Sequence, residues 1–281
     1  DEGWRHAEAV GAFDTLFFND RDELTEGGRS NVFVRLGERW FTPPLAAGVL
    51  PGVMRSVLLD GDIEVEKDRI AAQHAFFKAA GAPCIVYGET ARSVQGVKSA
   101  PLATKPKLTE AETAAYGRKI SDFADWCAKE GMPISYHHHM AAAIETEAEL
   151  DLFMKHSSVP LLFDAGHMAF AGGDNLRVIE NHWKRITHVH TKDIRRPVVD
   201  GLDRTKESFL VAVVKGAFTV PGDGSLDFEA IVKALAAKGY EGWFVVEAEQ
   251  DPKVSPPLEM AIKGHKELMR VMSAAGYEVA Q

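Results

Sequence analysis

PISYHHHM (133–140), VPLLFDAGH (159–167) and RITHVHTKD (185–193) share one pattern: a run of apolar residues that ends in histidine, aspartate or both. A strand covered on both faces reads as a near-continuous apolar run, the habit of parallel sheets flanked by helices. PCIVYGE (83–89) upstream and WFVVEAE (243–249) downstream have the same form. Segments of helical length lie between the strands. Glu64–Ala80 stops at Gly81. Thr109 and Glu112 form a capping box that opens a helix to Glu130, and Gly131 ends it. Thr146 and Glu149 repeat the box before LDLFMKH. Further helices start at Asp174 and near Asp227, the second ending at Gly239, and a last one spans residues 256–275. Strands separated by such helices indicate parallel βαβ units. Each strand carries its reactive residues at its C-terminal end, where α/β folds place their sites.

Residues 1–60 read differently. FDTLFFND, NVFVRL and RWFTPPL are short strands parted by NDRDE, TEGGRSN and LGER, a β-meander-like segment with a short helix expected over Pro51–Leu59. The change of style falls at Leu58–Gly61. The expected domains are therefore 1–60, an N-terminal segment, and 61–281, a β/α portion.

Among 281 residues, 41 Asp and Glu stand against 32 Lys and Arg, a net charge of −9. With no basic run, neither nucleic acid nor an anionic membrane is an expected partner. Cys84 and Cys127 are the only two cysteines, which excludes a disulfide framework and suits a reducing cytosol. No apolar run approaches the roughly 20 residues that span a bilayer, and DEGWRHAEAV is too polar for a secretory signal. The expectation is a cytoplasmic protein.

Four strand ends supply candidate metal ligands: His137, His138 and His139; Asp164 and His167; His188 and His190; Glu247 and Glu249. Any one of them alone reads more readily as a hydrogen-bonded structural residue than as a ligand, and Asp164 could be a helix cap. Four strands ending in ligand-type residues point to one divalent ion. Mixed imidazole and carboxylate donors suit Mn, Fe, Co or Zn better than Ca or Mg. Alternation along a strand puts His188 and His190 on one face, and Glu247 and Glu249 on one face. GAFTVPGDGSLDF (216–228) is a glycine-rich turn without a nucleotide fingerprint.

YGET, YHHHM, DAGH, HVHTKD, PGDG and VVEAEQDP, in this order at successive strand ends, resemble the inosose dehydratase family of inositol catabolism, within the xylose-isomerase-like TIM barrels. The resemblance covers residues 61–281. It implies such a barrel with its last five β/α units recognisable, a small keto-polyol substrate and loss of water from it. The implied metal is Mn or Co first, with Fe or Zn as alternatives. Asp164, His190 and Glu247 match the superfamily's ligands. Its first acid is a histidine here, His137 by its place after Tyr136, with His139 as rival. His167, Lys192 and Glu249 are the implied catalytic groups: Glu249 or His167 as base, Lys192 as acid or charge stabiliser. His139 and His188 are the implied substrate contacts. A keto-sugar isomerase or epimerase of the same fold, and a chain that binds metal without turnover, are the alternatives.

Residues 8–59 resemble a fragment of the class IV pyridoxal-phosphate enzymes, aminodeoxychorismate lyase and branched-chain aminotransferases, through LTEGGRSNVFV and FTPPLAAGVLPGVMR. That resemblance sets Glu26 toward the pyridine nitrogen and the Gly52–Val53 turn at the phosphate. No lysine precedes Lys67, so no internal aldimine and no pyridoxal phosphate are expected. Because the segment stands where the barrel's first units should be, the sheet is expected to keep open edges, which invite a homo-oligomer.

Overall fold

The structure is a computed structural model. It describes the backbone of five short strands before residue 57, and backbone and side chains over 58–279. The chain divides into two compact units, Asp1–Met54 and Arg55–Gln281. In the first, β1 (Leu16–Phe18) pairs antiparallel with β2 (Leu24–Gly27), and β3 (Val34–Leu36) with β4 (Arg39–Phe41). The Glu26 side chain and the Gly52–Val53 turn lie outside the described residues.

The second unit is built on β5 (Met54–Ser56), β6 (Ile85–Glu89), β7 (Ile134–His137), β8 (Leu161–Asp164), β9 (Ile186–His190) and β12 (Phe244–Val245). These form one six-stranded sheet in the order β12-β9-β8-β7-β6-β5, with parallel pairing from β6 through to β12. The helices are α1 (Ile63–Ala79), α2 (Glu110–Lys129), α3 (Glu147–His156), α4 (Ala165–Phe170), α5 (Asn175–His182), α6 (Arg196–Asp200), α7 (Phe209–Val214), α8 (Phe228–Ala237) and α9 (Pro257–Ala274). Both capping boxes form as read: Thr109 with Glu112 at α2, and Thr146 with Glu149 at α3. Tyr116, Ile120, Phe123 and Cys127 recur at helical spacing on α2 and are buried together. Tyr136 of β7 meets Phe153 of α3 with ring centroids 4.6 Å apart. Burying one such aromatic contributes roughly 1.5–3 kcal/mol.

Three expectations are corrected. Within the expected helix Pro51–Leu59, the described residues Met54–Ser56 form strand β5 instead, because one or two turns of helix are marginal alone while β6 offers a ladder. WFVVEAE is strand only at Phe244–Val245. The backbone there is tied to β9, Val189 N–H to Trp243 C=O at 3.1 Å and Thr191 N–H to Val245 C=O at 2.8 Å. Among the described residues it is the last strand in the sheet order, with β9 as its ladder partner. The histidine strand ends at His137, and His138 and His139 belong to the turn that follows.

Residues 193–226 add a lobe beside the strand ends. In it β10 (Asp193–Ile194) pairs antiparallel with β11 (Phe218–Thr219). Phe170, Ile194, Phe209 and Phe218 pack there with Met140 and Leu102.

Candidate metal centre

The strand ends bring the expected donors into two neighbouring sets. One ligand atom from each of His137, Asp164, His190 and Glu247 lies within 4.8 Å of the others, and the same holds for His139, His167 and Glu249.

Asp164 closes β8 and divides its two oxygens between tasks. Oδ1 accepts the His167 N–H at 2.8 Å and caps α4. Oδ2 faces His137 Nε2 at 3.3 Å and His190 Nδ1 at 3.4 Å. Asp164 thus caps the helix with one oxygen and leaves the other to the two histidines. His138, beside His137 yet absent from both sets, is completely buried, and its Nε2 accepts the Asp164 N–H at 3.3 Å. His188 lies deeper on β9, its Nδ1 3.9 Å from the Sγ of Cys84, which precedes β6. It belongs to neither set.

Electrostatics favour a cation at the first set. Burial works to raise the Asp164 carboxyl, but His167, Lys192 and the two histidines facing Oδ2 outweigh it and hold it well below the usual carboxylate range. Burial likewise opposes ionisation of Glu247, yet Lys192 and His190 bring its carboxyl down to about 2. The His190 imidazole resists charge through burial but is lifted to about 9 by Asp164 and Glu247. The carboxylates thus draw positive charge to this spot. Moreover, His190 Nδ1 and Glu247 Oε2 are 2.7 Å apart but not aligned as donor and acceptor, so both remain buried polar atoms without a hydrogen bond. Each such atom costs about 1–3 kcal/mol, and one shared cation would satisfy both. The residues fit a divalent metal ion, and the donor types favour a transition metal over Ca or Mg.

The second set surrounds an ammonium. Lys192 Nζ is 2.8 Å from His167 Nε2, 2.9 Å from Glu249 Oε2 and 3.3 Å from Glu247 Oε2. Burial opposes its charge, but Asp164, Glu249 and Glu247 raise the ammonium's pKa above the ordinary lysine value. Burial lowers His139 to about 3 with help from His137 and Lys192, and holds His167 well below its usual value with help from His139 and Lys192. Both rings are neutral near pH 7. Burial raises Glu249 against the pull of Lys192.

Two glycines let the backbone close on these groups. A Cβ on Gly166 would stand 2.6 Å from Lys192 Cγ, and one on Gly224 2.3 Å from Asp193 Oδ1. The PGDG turn folds around the Asp193 carboxylate, which accepts from the backbone N–H groups of Gly224, Ser225 and Leu226 at 3.0–3.2 Å. Sequence reasoning missed this anchor, although Asp193 ends the HVHTKD motif. It also missed the apolar wall, Phe209 with its ring 5.3 Å from His139 and Phe218 5.2 Å from His167. Nothing in a lone phenylalanine marks such a role.

The family model for amino-transferase class IV matches residues 3–98, and that for the xylose isomerase-like TIM barrel matches residues 60–273. The rhizopine catabolism protein MocC of Rhizobium meliloti is 41% identical over 225 residues, 79% of this chain and 69% of that protein. The inosose dehydratase of Geobacillus thermodenitrificans is 44% identical over 207 residues, 72% of this chain and 70% of that protein. Among solved structures, the IOLI protein with a binding zinc atom has a TM-score of 0.55 at 16% identity, over 75% of this chain and 70% of that one. The probable 3-DHS dehydratase AsbF from Bacillus anthracis has a TM-score of 0.55 at 15% identity, over 76% and 73%. At such identities these two speak to the fold alone. On the family match and the identity to its curated relatives, the chain belongs to the xylose isomerase-like TIM barrel family and is a homologue of the inosose dehydratases.

Proposed function

We propose that the chain is a hydro-lyase that dehydrates a keto-inositol with a divalent metal ion, in keeping with its similarity to proteins named inosose dehydratase. The observation that carries this reading is the pairing of a four-donor set with a Lys192–Glu249–His167 cluster directly beside it. Dehydration needs a proton taken from the carbon beside a carbonyl and a hydroxide released from the next carbon. A divalent ion held by His137, Asp164, His190 and Glu247, with Mn or Co preferred over Fe or Zn, would polarise the carbonyl and offset the negative charge that develops there.

Glu249 takes the proton. Its burial makes it a stronger base than a solvated carboxylate, and Lys192 at 2.9 Å stabilises its ionised form. Once protonated, Glu249 is also the acid that returns the proton to the departing hydroxyl, so one carboxyl serves both halves. His139 donates Nδ1–H to the Met140 carbonyl at 2.7 Å, which leaves its Nε2 lone pair to orient a substrate hydroxyl. His167 accepts from Lys192 and keeps that ammonium over the Phe218 ring. The His188 ring stands edge-on to that of His190, with centroids 5.5 Å apart.

Residues 1–60 are proposed as a segment without a pyridoxal-phosphate function. Lys67, the first lysine in the sequence, lies on α1 and pairs with Glu64 at 2.6 Å. Pyridoxal phosphate added to the protein should therefore produce no visible aldimine band. We assign the reaction to the cytoplasm, in accord with two free cysteines. Among the described residues no helix is long and apolar enough to cross a membrane. Association of copies is proposed at the β12 edge, where Trp243 is 60% exposed; light scattering reads it.

The deciding experiment incubates metal-loaded protein with a keto-inositol and follows the product by mass spectrometry and NMR. A diketone lighter by one water is expected, and Glu249→Gln should lower kcat by about 10²–10⁴-fold. A product of unchanged mass with an inverted centre would make the chain an epimerase. Metal uptake without conversion would make it a binding protein.

A further inference from the structure

The second set has the make-up of a metal site but surrounds an ammonium. His139, His167 and Glu249 hold their ligand atoms within 4.8 Å of one another, and Lys192 Nζ touches two of the three, His167 Nε2 and Glu249 Oε2. An ammonium only donates, so the nitrogen of His167 that meets it presents a lone pair. The Met140 carbonyl only accepts, so His139 carries its proton on Nδ1 and presents a lone pair at Nε2, 3.9 Å from Glu249 Oε1. Two bare imidazole nitrogens and a carboxylate therefore face one locus.

Charge accounting gives the reason for the lysine. In the first set Asp164 and Glu247 carry two negative charges, which one divalent ion balances. Glu249 adds a third, and Lys192 balances it. Glu247 Oε2 stands between the two, 2.7 Å from His190 Nδ1 and 3.3 Å from Lys192 Nζ, the place of a carboxylate shared by two cations. Two-metal sites hold their ions about 3.5–4 Å apart, commonly across such a carboxylate. The lysine stem cannot swing aside, because Gly166 packs against its Cβ and Cγ and the side chain is completely buried.

We propose that the Lys192 ammonium is a tethered stand-in for a second divalent cation: it fills a cradle made of His139, His167 and Glu249, and its removal converts a one-metal site into a two-metal site. The inference rests on the one-ion reading of the first set. Its own consequence is a change in stoichiometry, which is independent of turnover.

The full chain, Lys192→Met and Lys192→Met/Glu249→Gln are each freed of metal, loaded with excess Mn²⁺ or Zn²⁺, desalted and assayed for metal per chain. The Mn²⁺ samples are also examined by electron paramagnetic resonance for exchange coupling between paired ions. One ion is expected in the parent, two with a coupled-pair signal in Lys192→Met, and one again in the double variant. A parent that binds two ions, or a folded Lys192→Met that binds one, overturns the proposal; a parent that binds none overturns the one-ion reading instead. If Lys192→Met is unfolded without metal, supplying two equivalents of Zn²⁺ should restore the helical circular dichroism, and failure to do so counts against the proposal.

Discussion

Glu89 at the end of β6 and Asp164 at the end of β8 are buried carboxylates in equivalent places, yet their acidities diverge. Each accepts a nearby backbone N–H at 2.8 Å, Glu89 from Ala91 and Asp164 from His167. They differ in the second oxygen. That of Glu89 accepts another backbone N–H, from Leu59 at 2.8 Å. That of Asp164 faces His137 and His190, with Lys192 Nζ at 3.8 Å. Burial consequently wins at Glu89 and raises it to about 7 against its two backbone hydrogen bonds. At Asp164 burial loses to His167, Lys192 and the two imidazoles that face its second oxygen. Position at a strand end makes a carboxylate available; its neighbours decide whether it staples backbone or faces a cluster of imidazoles.

The strongest way to break this comparison is to remove the ligand carboxylate while keeping the cap. Asp164→Asn retains an oxygen for the His167 N–H but loses the anionic donor. Metal content should fall from about one ion per chain to near zero, a loss beyond the 10–100-fold in affinity typical of removing an outer partner of a ligand. Asp164→Ala should add the cost of the lost cap, about 0.5–2 kcal/mol. Full metal in either variant, by elemental assay, would sink the ligand assignment.

Next in size is the contrast within the histidine run. His137→Ala should also lose the ion. His138→Ala should keep it but destabilise the fold by about 1–3 kcal/mol, because the buried Asp164 N–H loses its acceptor. If His139→Ala rather than His137→Ala abolishes uptake, the first donor has been placed one residue pair too early.

How far these distinctions could be read in advance depends on their range. The strands of β6 to β9, the capping boxes and the four-donor set were legible, because apolar runs, Thr-x-x-Glu spacing and strand-end histidines are local signals. The parting of His137 and His139 into different sets was not, since both lie on the same side of an alternating strand; the turn that begins after His137 separates them. The extent of WFVVEAE depends on which neighbours a strand has, and composition does not carry that. The lobe over residues 193–226, with Phe209 and Phe218 against the histidines, depends on long-range packing. Gly166 was visible within DAGH, but its reason, the Lys192 stem against its Cα, lies 26 residues away in sequence.

That contact gives a smaller effect. In Gly166→Ala the new Cβ would stand 2.6–2.8 Å from Lys192 Cγ, Cβ and backbone O. A side-chain rotation cannot relieve the backbone contact. A stability loss of about 1–3 kcal/mol is expected, with metal content kept and kcat reduced through a displaced Lys192. Unchanged melting and unchanged kcat would show that this close approach does not set the lysine's position.

A pH-dependent effect sharpens the other side of the comparison. Glu89 titrates at about 7 in the folded chain against an ordinary value of 4.5, so between these pH values the folded state holds a proton that the unfolded state has released. Stability must then fall as pH rises through this window, with the loss complete above about pH 7, and the total is about 3 kcal/mol. Glu89→Gln removes the titration but offers one acceptor oxygen to two backbone donors, Leu59 and Ala91, which costs about 1 kcal/mol at every pH. In urea unfolding of metal-free protein, the variant should therefore be the less stable chain at pH 4 and should pass the parent by pH 8. Other buried carboxyls, such as Glu145, also titrate upward through burial, so the informative quantity is the difference between the two curves. Parallel curves would mean that Glu89 is already ionised when folded, and that its two backbone hydrogen bonds outweigh its burial after all.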